Sequence, residues 1–368
     1  MAASLPDRLH LVGAAAAIAS GMVAVLVAAL VIGGAQAPPV AGLPDAGPVT
    51  AWGLPLAQLA TQAAAVVTVG CLLMAAFLLP SYNGRPCADG ARYACAAVGA
   101  AGVWALAAAA SVVFSFSDIL AVSVDQMWQV RSVLTLVGYA WSIPQGRVLA
   151  VTVGAAVLAA GLARTSRTVG GLVWALALAT LAVLAPVFTG HSAASENHEV
   201  AVSALAVHVL AALAWTGGLG ALVTYAVVGG RHLRSATERF SRLAGICLLA
   251  VGASGVFNLL ACSRDLAALA AGGYGLLVIG KIVLFAGAGA AGFWHRHRTL
   301  AELRAGRPRA FARLAVGEVC LLAAAIALAV ALSRTPPPAS PPEPADTVTG
   351  LLGFPLSPPL ALDRLLSW

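Results

Sequence analysis

Charge is what this sequence has least of. Asp, Glu, Lys and Arg make up 10% of the 368 residues, against about one quarter in an ordinary soluble domain. Hydrophobic residues make up 60%, and the mean hydropathy is +0.92. So few charged side chains cannot cover a water-facing surface, which excludes a soluble globular domain. Methionine is also scarce, with 4 in all. Met22, Met74 and Met127 lie far apart, so they read as packing residues and not as rungs of a metal path. The 6 cysteines, Cys71, Cys87, Cys95, Cys247, Cys262 and Cys320, contain no CxxC or other close pair, which argues against a dense disulfide framework. No G-x-S-x-G elbow, P-loop, H-E-x-x-H helix or haem-attachment motif occurs. With no nucleophile beside an evident base, the chain does not read as an enzyme.

What fills the sequence instead is apolar runs. A helix needs about 20 residues to cross roughly 30 Å of hydrocarbon, and nine runs approach that length, near 9–33, 54–80, 94–116, 146–163, 170–189, 200–229, 240–262, 275–294 and 311–333. The expected fold is therefore all-α, a polytopic transmembrane helical bundle of about nine spans. The first run follows Arg8 and superficially resembles a signal peptide. It is too long for a signal core and reads as a retained helix. Residues 118–145, with Trp128, Tyr139 and Trp141 among scattered polar residues, read as an interfacial helix or re-entrant loop.

Basic residues set the expected orientation. With the N-terminus inside, the inner loops collect Arg8, Arg85, Arg92, Arg164, Arg167, Arg231, Arg234, Arg239, Arg242 and the arginines of 296–313, as positive-inside placement requires. The C-terminus then lies outside, and the expected location is a bacterial cytoplasmic membrane. The formal charge of +7 is spread over short loops between spans, which suits contact with anionic lipid and gives no module for nucleic acid.

Four regions are expected. Residues 1–189 hold about five spans, and 190–333 hold four spans that carry nearly all the intramembrane polar groups. Residues 334–350, "RTPPPASPPEPADTVTG", form a proline-rich linker. Residues 351–368 form a short tail, either an amphipathic anchor or the approach to a further domain. Within the first half, residues 34–53 read as an irregular outer loop. In the second, "WHRHRTLAELRAGRPRA" at 294–310 reads as a basic inner loop that can lie on the membrane surface.

The polar residues at membrane depth are the candidate site. "VFTGHSAASENHEVAVSALAVHVLAALAWTGGLG" places His191 and His198 at the mouth of the sixth span and His208 well inside it. Polar side chains at such depth are costly and tend to be functional. A neutral imidazole can ligate copper, zinc or iron, or join a proton relay. Trp215 falls seven residues later on nearly the same face, and Gly217, Gly218 and Gly220 permit close helix approach. Lys281 and Glu318 enter the eighth and ninth spans from opposite sides to comparable depth, so a direct pair, or one bridged through water and Asn258, is expected. Asn258 and Tyr274 complete the polar set, the latter at a span entry suited to tyrosine.

"GHS" at 190–192, "HVLAALAWTGGLGAL" at 208–222, "RFSRLAGICLLAVGASGVFN" at 239–258, "YGLLVIGKIVLF" at 274–285 and Glu318 together resemble the copper resistance protein D family, over about 145 residues in family order. The resemblance implies copper as the ion handled, with His191 and His208 associated with metal or protons; His198 is not part of the family motif and stays a candidate only by its place at the mouth of the span. It implies Asn258, Tyr274, Lys281 and Glu318 as a polar framework and Trp215, Gly217 and Gly218 as a packing signature. Copper uptake or translocation for homeostasis or cuproenzyme supply is the function implied. The alternative is a copper-binding assembly factor or scaffold for cytochrome c oxidase that does not transport. In actinobacterial relatives such a region often precedes a CtaG-like domain, which the tail resembles in its approach. Partners implied are that domain, a periplasmic copper-binding protein or cytochrome c oxidase.

Overall fold

The computed structural model describes residues 5–36, 44–127, 138, 141–189, 198–262, 272–294 and 308–335. Among them are nine helices long and apolar enough to cross a membrane. These are α1 (Leu5–Ile32), α2 (Gly47–Leu73), α3 (Ala88–Leu120), α4 (Pro144–Thr165), α5 (Val169–Leu184), α6 (His198–Val227), α7 (Leu233–Cys262), α8 (Gly273–Trp294) and α9 (Pro308–Arg334). The all-helical transmembrane bundle expected from the apolar runs is the fold observed. The loop at 37–43, most of 128–140, the basic loop at 295–307, and the linker and tail from 336 onward lie outside the described residues.

The second and third spans are longer than hydropathy alone indicates, and their connection explains why. α2 continues through a π-helical turn, Met74–Leu78, and the chain then reverses in a two-residue-strand hairpin, β1 (Ser81–Tyr82) against β2 (Arg85–Pro86). Its turn is Asn83-Gly84, both in the left-handed region at φ 50° and 72°, the conformation that an Asn-Gly pair adopts most readily. Asn-Gly is a hairpin signal, but the flanking strands are too short to show alternation in the sequence. Cys87 then starts α3 by accepting a hydrogen bond from the Gly90 amide. Ala121 ends it in the left-handed region, with its amide bonded to Asp118. In the stretch expected to be interfacial, a short helical turn, Val124–Met127, follows α3.

α2 is the most enclosed span and packs against α3, α5, α6 and α9, while α1 packs against α9 and α4 against α3 and α5. The contact with α6 is backbone to backbone. A Cβ on Gly70 would overlap the Gly217 carbonyl group, and one on Gly217 would lie 2.5 Å from the Val66 carbonyl oxygen. Small residues are what bring membrane helices this close, since lipid offers no hydrophobic drive to association. Met22, Met74 and Met127 are all buried, in three separate apolar clusters.

Polar ties close both ends of the bundle. At the arginine-rich end, Arg239 of α7 donates to the carbonyls of Phe77 (3.0 Å) and Leu79 (3.2 Å). It thereby supplies a cation and two donors where the π-turn leaves carbonyls without helical partners. Nearby, Tyr225 donates to Asp89 at 2.9 Å, and Tyr93 donates to the Ala221 carbonyl at 2.9 Å. At the opposite end, Arg334 of α9 makes a two-pronged ion pair with Asp118 of α3, at 2.9 and 3.4 Å.

Candidate functional site

The polar groups at depth fall into two levels along α6. The first is centred on His208, ten residues from the start of the helix, or about 15 Å along it. Its ring is half-buried and faces α7, where Nδ1 lies 3.3 Å from the Ser254 hydroxyl. A Cβ on Gly255 would stand 3.7 Å from Nδ1 and Cε1. The ring therefore lies against a small-residue face of the protein. Lys281 of α8 lies within Coulombic reach of this imidazole. It is the only lysine in the chain, half-buried and eight residues, about 12 Å, from the start of α8.

The second level lies two turns deeper. Trp215 is 2% exposed and Glu318 3% exposed. The indole Nε1–H donates to Oε1 of Glu318 at 2.9 Å, which ties α6 to α9. Phe285 of α8 meets the indole edge to face, with ring centroids 6.3 Å apart and planes at 86°, a favourable quadrupolar arrangement. Gly292 faces the carboxylate, since a Cβ there would lie 3.7 Å from Oε1. Next to Trp215, Gly217 meets Gly70 of α2, and Gly218 faces Phe240 and Leu73.

The expected pairing of Lys281 with Glu318 is not formed. The ion pairs between described residues are Arg92–Asp89, Arg234–Glu238 and Arg334–Asp118. The reason is register. Along the antiparallel α8–α9 contact, Gly280 faces Leu328, Gly287 faces Leu321 and Gly292 faces Glu318. Lys281 and Glu318 thus sit about eleven residues, or roughly 16 Å, apart in depth. Gly292, near the end of α8, faces Glu318, ten residues into α9, so equal counts from the two span ends are not equal depths.

Asn258 is half-buried one turn beyond Ser254 on α7, and Tyr274 is half-buried in the first turn of α8. His191 and the side chain of His198 lie outside the described residues; the backbone of His198 opens α6. Among the described residues, no three His, Cys, Asp or Glu come together as a metal-holding group. Ser254 is the site residue that sequence reasoning missed. The "GASG" around it signals close packing, but nothing in the sequence states which ring it meets across the interface.

No curated protein and no solved structure matches the chain. The matched family region, which spans α7, α8 and nearly all of α9, begins after His208 and Trp215 and includes Ser254, Asn258, Tyr274, Lys281 and Glu318. Residues 234–332 match the family of Copper resistance protein D.

Proposed function

We propose that this bundle handles copper, passing the ion across or into the membrane, with His208 as the ligand at depth. The observation that carries the reading is the placement of this imidazole, half-buried, facing α7 and backed by Ser254, on a helix packed directly against the region similar to the copper resistance family. In this reading the arginine-rich end is cytoplasmic and in contact with anionic lipid, and the membrane is the bacterial cytoplasmic one. His191 and His198 receive the ion at the opposite mouth, delivered by a periplasmic copper-binding protein. Lys281 sets the local potential beside His208, and Asn258 and Tyr274 line the approach.

Glu318 belongs to a different part of the machinery. Bonded to Trp215 and about 16 Å deeper than Lys281, it holds α9 to α6 and keeps the deep end of the path in register. Gly217 and Gly218 fix α6 against α2 and α7. One monovalent charge crossing 100 mV gains about 2.3 kcal/mol, which suffices to bias passage without nucleotide. Reconstitution into proteoliposomes tests the proposal. Saturable copper flux that is lost in His208→Ala is the expected result; wild-type flux in His208→Ala overturns it. Copper binding without flux in the wild-type protein would instead favour a scaffold that supplies a cuproenzyme such as cytochrome c oxidase, alone or through a CtaG-like domain.

A further inference from the structure

The hydroxyl of Ser254 has one proton and several neighbours. Its Oγ lies 2.5 Å from the Ala250 carbonyl oxygen, 3.2 Å from that of Val251 and 3.3 Å from Nδ1 of His208. Of these three neighbours the Ala250 carbonyl is the nearest acceptor, and it takes the serine proton. The serine proton is therefore committed to its own helix, in the back-bond to the residue four before that serine makes in membrane helices. Toward His208 the hydroxyl presents only lone pairs, beside the Val251 backbone carbonyl, which is a second acceptor for the ring. An acceptor facing Nδ1 requires a proton on Nδ1, and a neutral imidazole carries just one. The other nitrogen, Nε2, is then left with a bare lone pair.

From this geometry we propose that Ser254 is a positioning residue that fixes His208 as the Nδ1–H tautomer and presents Nε2 as its ligand atom. The functional half of the inference rests on the copper reading above; the tautomer itself does not. Gly255 completes the arrangement. The ring edge turned to α7 is Nδ1–Cε1, at ordinary contact distance from where a Cβ would stand, so an added methyl is tolerated there and gives a packing control. Ser254 is 4% exposed, too enclosed for bulk water to replace its hydroxyl. Metal-ligating histidines commonly use the other ring N–H in this way, and loss of such a partner lowers metal affinity by about 10–100-fold.

The test is ring 15N NMR of histidine-labelled full-length protein in lipid nanodiscs, at about pH 8, above the ordinary imidazole range, with the His208 signals assigned by His208→Gln. Wild type and Gly255→Ala are expected to show protonated Nδ1 and bare Nε2. Ser254→Ala is expected to shift His208 toward the other tautomer, and Ser254→Thr, which keeps the hydroxyl, to restore it. Cu(I) titrated against a competing chelator is expected to bind at least about tenfold more weakly to Ser254→Ala and normally to Ser254→Thr. A wild-type ring protonated on Nε2, or an unchanged tautomer in Ser254→Ala, overturns the assignment whether or not copper binds. A tautomer that follows Ser254 while Cu(I) affinity is indifferent to both His208→Gln and Ser254→Ala upholds the assignment and removes the copper reading.

Discussion

Replacing Gly217 with alanine puts the α2–α6 contact to its most direct test. The added Cβ would lie 2.5 Å from the Val66 carbonyl oxygen, 2.9 Å from the Gly70 nitrogen and 3.0 Å from the Gly70 Cα, whereas ordinary contact begins near 3.4 Å. The helices must therefore separate by about 0.9 Å, the difference between 3.4 and 2.5 Å. All three obstructing atoms are backbone and none can rotate away. Overpacking costs about 1–3 kcal/mol when side chains can adjust, so the upper end, about 3 kcal/mol, applies here. Alanine's better helix propensity returns about 1 kcal/mol, which leaves a net loss near 2 kcal/mol. Gly220, one turn along, is the control, because a Cβ there meets nothing within 4 Å. Gly220→Ala should be neutral or up to about 1 kcal/mol more stable, so the two variants should differ by about 2–3 kcal/mol. Unfolding by denaturing detergent from mild micelles, followed by tryptophan emission, reads that difference. Equal stability of the two alanine variants would refute the close contact and, with it, the seating of α6 on α2.

Trp215→Phe keeps an aromatic ring against Phe285 but removes the donor to Glu318, and should cost about 0.5–1.5 kcal/mol for the lost hydrogen bond. Glu318→Gln, which retains an acceptor for the indole, should cost less in the same unfolding assay; the reverse order would argue against the bond. Arg239→Met removes the two bonds to the carbonyls of Phe77 and Leu79 while keeping an apolar stem. Faster hydrogen exchange across residues 74–87, with no change in α4, is the expected outcome by mass spectrometry. Arg334→Gln breaks a partly exposed ion pair with Asp118 and should shift stability by less than about 1 kcal/mol; a larger loss would mean that this tie carries more of the α3–α9 contact than its exposure allows.

The nine spans found among the described residues were legible in the sequence because each follows from a local property. An apolar run of membrane length has to satisfy its own backbone as a helix, and this holds whatever its neighbours are. The depth of His208 was legible for the same reason, being a count of residues from the start of one helix. The lengths of α2 and α3 were less so, because the Asn83-Gly84 turn and the Cys87 cap, not hydropathy, set where the chain reverses.

Partner choice between helices was not legible. Lys281 and Glu318 looked level when each was counted from its own end, yet the glycines of α8 set a register in which Glu318 faces Gly292 and bonds to Trp215. In the same way, the sequence offered His208 as a candidate, and only the α6–α7 contact supplied Ser254 as its neighbour. Hydropathy and residue spacing along one chain therefore determined that this is a bundle of membrane helices with polar groups at depth. Which of those groups meet was decided only in the folded protein, because relative rotation and register depend on where glycine lets two backbones touch, and that is a property of pairs of helices.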